Sequence, residues 1–173
     1  MSAREPQTVG AVIRWVLADP WDALGRQWNY KSAVLSSSMR SLVFFTVNLT
    51  AGTDAAIAAM VMEFALRFAT AGFYGALTQA FRRVEPARHG ALAALALLPL
   101  VAHSLEYLVH ASSGTPKLAA SIGASLALTA VSTAFNLFAM RRGAFVVGSD
   151  SASLLADLCR LPRLVVSFIA AAR

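Results

Sequence analysis

The chain is poor in charge: 14% of its 173 residues are Asp, Glu, Lys or Arg, against about 25% in an ordinary soluble domain. So little charge leaves too few polar residues to give every helix a solvated outer face. A single cysteine excludes an intrachain disulfide framework and a cysteine-based zinc site. The chain contains no Gly-x-Ser-x-Gly nucleophile motif, no phosphate-cradling glycine loop and no His-Glu-x-x-His motif. Nothing in the motifs therefore argues for the corresponding hydrolases, nucleotide enzymes or zinc proteases. A signal peptide is not expected. The first apolar run, residues 9–18, is short, carries Arg14, and is followed by Asp19-Pro20-Trp21-Asp22 instead of a small-residue cleavage site. No two matching halves mark an inverted-repeat transporter.

What the chain has is apolar length. Hydrophobic residues make up 57% of it, which rules out intrinsic disorder. A bilayer core of about 30 Å needs about 20 helical residues. Four stretches reach that length, at about residues 32–51, 54–81, 90–110 and 117–140. The runs are continuous, not alternating, so a β-barrel is disfavoured. The expected fold is all-α: a polytopic membrane protein with four transmembrane helices and amphipathic helices at both ends.

Short breaks separate the runs. Thr53 or Asp54 is the expected cap of the second span, the charged turn 82–88 contains Pro86, and Thr115-Pro116 opens the fourth span. The net charge of +6 comes from basic residues beside the apolar runs, a pattern of topology anchors with no nucleic-acid face. Arg26, Lys31, Arg82, Arg83, Arg88, Arg141 and Arg142 fall on one side of a four-span arrangement. The positive-inside rule makes that side cytoplasmic. The expected location is the cytoplasmic (inner) membrane with both termini inside.

The organisation that follows is a cytoplasmic amphipathic segment over 1–31, the bundle over 32–140 and a cytoplasmic tail over 141–173. Trp15, Trp21 and Trp28 all fall in the first segment, where indole rings suit an interfacial helix. In the tail, Leu154, Leu158, Leu161, Val165 and Phe168 form one apolar stripe, with Asp157 and Arg160 off it and Pro162 expected to kink or divide the helix. Such a helix lies on the membrane surface or binds a partner.

Charges within the spans are costly and so mark the candidate site. Arg40, Glu63, Arg67, His103 and Glu106 fall roughly 6 to 20 Å inward of the non-cytoplasmic boundary at 1.5 Å per residue. Glu63 and Arg67 have the favourable acid-before-base i,i+4 order, and His103, Glu106 and His110 share one helix face. Asn136 adds an amide from the fourth span, beyond Ser121, Ser125 and Ser132. The expected intramembrane polar site is thus Arg40, Glu63, Arg67, His103, Glu106 and Asn136, either a structural charge network or an anion site. Glu63, His103, Glu106 and His110 form a weaker alternative as a metal site, disfavoured by Arg67. No cofactor is expected, and no catalytic residue is assigned. Cys159 reads as packing.

The functional expectation is an integral membrane accessory or scaffold subunit, with a non-enzymatic role favoured. Alternatives are a binding or transport protein for a small anion or amphiphile, and a membrane enzyme using intramembrane Glu and His. Expected partners are the lipid bilayer, a further copy or another membrane protein, and an anionic lipid; nucleic acid is not expected.

Overall fold

The structure, a computed structural model, describes residues 8–100, 104, 118–148 and 151–171. It is all-helical, with no strand among the described residues. Helix α1 is Val9–Ala18, followed by a π-helical turn at Trp21–Arg26. Helix α2 is Tyr30–Asn48, α3 is Thr53–Phe81, and α4 starts at Ala87 and reaches Leu100. Helix α5 is Leu118–Arg141 and α6 is Leu154–Ala171. By length and composition, α3 is long and apolar enough to cross a membrane.

Local chemistry explains most boundaries. Thr8 caps α1, its side chain accepting from the Ala11 amide at 3.2 Å. Asn29 caps α2 in the same way, through the Ser32 amide at 2.9 Å. At the start of α3 the cap is Gly52, and Thr53 is already helical; neither Thr53 nor Asp54 fills the capping role expected of them. Helix α4 begins directly after Pro86, which takes Arg88 out of the turn and into the first helical turn. A π-helical stretch at Ala93–Leu97 interrupts α4 just before Pro99. Pro99 has no N–H for the carbonyl four residues back, and its ring crowds that carbonyl. Helix α5 ends in a Schellman turn. Gly143, at φ +75°, donates to Met140, and Ala144 donates to Ala139, each at 3.0 Å.

Helices α2 and α3 form an antiparallel pair joined by the short turn at Leu49–Ala51. Helix α1 lies across their basic end. Its Val12 is buried with Phe81, Val84, Ala94, Leu98 and Leu137, and Val9 and Val16 pack alongside. A second cluster joins Ala139, Ala144 and Phe145 to Leu164, flanked by Leu35, Phe135, Phe138, Leu154 and Leu161.

Trp28 packs edge-on against Phe68, with ring centroids 5.2 Å apart, and lies over Gly72. A Cβ at Gly72 would overlap the indole, so only glycine admits this approach. Gly72→Val is expected to cost about 1–3 kcal/mol through overpacking. Thermal unfolding in detergent tests this, and an unchanged midpoint would show that the indole is not seated there.

The tail helix runs without a break through Pro162, where a kink or division was expected, and the residues that pack on the protein are offset from the apolar stripe read in the sequence. Leu154, Asp157, Leu161, Leu164 and Phe168 face the protein, whereas Leu158 and Val165 are exposed. Both sets satisfy the 3–4 spacing of a helix, so spacing alone does not choose between Leu158 with Val165 and Asp157 with Leu164.

Candidate functional site

The densest polar site sits where α2 begins, α3 ends and the chain leaves α5. Lys31, in the first turn of α2, is fully buried, and its Nζ lies 2.8 Å from Asp157 Oδ2, also fully buried. The same ammonium donates to the Ala152 carbonyl. Asp157 Oδ2 also accepts from the Phe145 amide at 3.0 Å. Its other oxygen, Oδ1, is buried without a hydrogen bond; the half-exposed Arg160 guanidinium stands 3.9 Å from it.

A second set of bonds extends the network to α3. Asn29 Nδ2 donates to the Phe145 carbonyl at 2.9 Å and to Gln79 Oε1 at 3.0 Å. Gln79 grips Val147 from both sides: Nε2 donates to the Val147 carbonyl at 2.9 Å, and Oε1 accepts the Val147 amide at 2.8 Å. Phe145 is thus held by its amide, its carbonyl and its buried ring. That explains how a bulky residue persists at φ +54°. Further along the same end, Arg82 donates to the Met140 carbonyl at 3.1 Å. Burial, aided by neighbouring Arg83, pulls its guanidinium below the usual value. Arg141 donates to the Ala87 carbonyl at 2.6 Å, tying α5 to α4.

Chemically this arrangement ties backbone segments together. Neither charged side chain of the central pair has any exposed surface, so no solute reaches the ammonium or the carboxylate. The site joins four separate pieces of chain, residues 29–31, Gln79, residues 144–148 and Asp157, into one cap.

The residues expected to form an intramembrane site are described only in part. Arg40 on α2 and Arg67 on α3 are half-buried and each is partnered. Glu63 is helical, but its side chain falls outside what is described. Arg40 lies about 12 residues before the turn at Gly52 and Glu63 about 11 after it, about 17 Å along each facing helix at 1.5 Å per residue. Asn136 is half-buried on α5, near the Thr133 hydroxyl that lies 3.3 Å from the Tyr74 hydroxyl. His103, Glu106 and His110 lie outside the described residues. Among the described residues, no cluster of His, Cys, Asp or Glu could hold a metal ion.

Lys31 was counted among the basic residues that flank the spans; the structure adds that it is fully buried against Asp157. Asn29, Gln79, Phe145 and Asp157 were not foreseen as one site. A usable signal was present in Asp157, the one acid within a leucine-rich helix, three, four and seven positions from Leu154, Leu161 and Leu164. Comparison with protein-family models, curated proteins and solved structures finds no match to this chain.

Proposed function

We propose that this protein is a four-span integral membrane accessory or scaffold subunit of the inner membrane, with both termini cytoplasmic. The observation that carries the reading is the segregation of its surface. Ile57, Val61, Met62, Phe64 and Phe73 are exposed along α3, while the polar network and Arg82, Arg83, Arg141 and Arg142 gather at one end. Exposed apolar side chains on one helix mark a membrane or protein interaction surface when they form a large patch in water; in lipid they need no partner. Helix α5 supports a second crossing. It has 24 residues and no charge before Arg141, and such a helix is about 36 Å long at 1.5 Å per residue.

A scaffold role is favoured over chemistry because the best-ordered polar site is sealed and its bonds immobilise backbone. What it offers a partner is a rigid cytoplasmic platform made from both ends of the chain. Reporter fusions after residues 52, 85, 114 and 148 are expected to alternate outside, inside, outside, inside. Positions 52 and 85 on one side would overturn the four-span reading. Crosslinking in native membranes is expected to join the cytoplasmic segments to a further copy or another membrane protein. Recovery only of the uncrosslinked monomer would remove the accessory role.

A further inference from the structure

We propose that the outward face of α6 binds the surface of an anionic phospholipid bilayer, and that the Lys31–Asp157 pair fixes the rotation of the helix that presents this face. The proposal rests on the membrane reading above. Helix α6 has three faces. The inward one is already described. A second, at Leu155, Leu158, Val165, Val166 and Ile169, is apolar and exposed; these positions recur at three- and four-residue spacing and share one side of the helix. The third carries Arg160, Arg163 and Ser167, all exposed.

Depth assigns the occupant. Phe168 packs edge-on against Phe135 and Phe138 of α5, with centroids 5.6 and 5.4 Å apart. Those two residues lie three and six positions before Arg141, so the far end of α6 sits about 5–9 Å below the arginine level at 1.5 Å per residue. An amphipathic helix on a bilayer sinks its apolar face about 5–10 Å into the headgroup–acyl boundary. Arg142 marks that boundary, with its guanidinium carbon 3.5 Å from the Phe138 ring centroid. The apolar face of α6 therefore continues the apolar surface of the bundle, with Arg160 and Arg163 at headgroup height, where they complement anionic lipid.

Rotation decides whether this works. A turn of about 100°, one residue's worth, would bring part of the arginine face toward the lipid. Asp157 cannot make that turn without leaving Lys31 Nζ at 2.8 Å and the Phe145 amide at 3.0 Å.

The test uses the full chain in vesicles of phosphatidylcholine and anionic phosphatidylglycerol. Single cysteines replace Val166, Ile169, Ser167 or Met62 in a Cys159→Ser background and carry a fluorophore. Val166 and Ile169 labels are expected to be quenched by a shallow lipid-borne nitroxide and shielded from aqueous iodide, with Ser167 the reverse. Iodide access at 166 and 169 equal to that at 167 overturns the proposal. So does shielding seen only in native membranes, which would identify a protein occupant. The Met62 label separates the two readings. If it too is open to iodide, the membrane reading fails; if it is lipid-exposed while 166 and 169 are not, only the α6 inference fails. Headgroup-labelled phosphatidylglycerol is expected to quench the Ile169 label more than labelled phosphatidylcholine. Arg163→Gln should reduce that preference roughly fivefold, the effect of about one basic residue near an anionic surface. Equal quenching by the two lipids overturns the anionic specificity.

Discussion

Replacing Lys31 by Met is expected to destabilise the protein by about 3–5 kcal/mol, because Asp157 would remain buried without its cation. Asp157→Asn alone is expected to cost a similar amount, because the buried ammonium loses its counter-charge. The double variant Lys31→Met/Asp157→Asn should recover most of the loss. The choice of Asn matters. Asp157 Oδ2 also accepts the Phe145 amide at 3.0 Å, and an asparagine carbonyl can keep that bond. Lys31→Met/Asp157→Leu, which orphans the amide, should recover less, the difference being about 1–3 kcal/mol. Thermal or denaturant unfolding of the detergent-solubilised protein measures all four. Additive losses, with no recovery in the Met/Asn double, would show that the two side chains are not directly coupled. The exposed Arg160, 3.9 Å from Asp157 Oδ1, is a weak substitute cation for the Lys31 variant, since a half-solvated pair gains little.

The apolar helices were legible in the sequence because their signal is local. Runs 32–51 and 54–81 correspond to α2 with its final turn and to α3, apart from shifts of one or two residues at the starts. The tail helix was legible as a helix, since leucines at 3–4 spacing need no distant partner to be recognised. Its rotation was not. Spacing alone does not choose between Leu158 with Val165 and Asp157 with Leu164, and the burial of Asp157 depends on Lys31, 126 positions away. The cap as a whole was hidden for the same reason. In the sequence Lys31 resembles a flanking charge, and nothing singles out Asn29 or Gln79. Each takes its meaning from a partner that no periodicity places beside it. Trp28 is a further case: its seat over Gly72, on a different helix, could not be read from its place in the chain.

Gln79→Leu should loosen the cap at its other anchor, at a cost of about 2–6 kcal/mol. The physical basis is the pair of bonds to Val147, 2.9 Å to its carbonyl and 2.8 Å from its amide. Leucine fills similar volume but leaves both backbone groups without the partner they have now, at about 1–3 kcal/mol for each one that stays buried. Asn29 keeps its bond to the Phe145 carbonyl, so it adds less to the loss. Gln79→Glu offers a sharper comparison. A carboxylate still accepts the Val147 amide and the Asn29 amide, but turns an acceptor toward the Val147 carbonyl, so its effect should lie between those of Gln and Leu. Amide hydrogen exchange is the direct readout, because the 144–148 segment should lose protection in the Leu variant before α3 does. If the segment stays as protected as in the parent, the Gln79 bonds do not hold it, and the cap relies on Lys31 and Asp157 alone. If protection falls over α6 as well, the two halves of the cap act as one cooperative unit, as a platform joined through Phe145 requires.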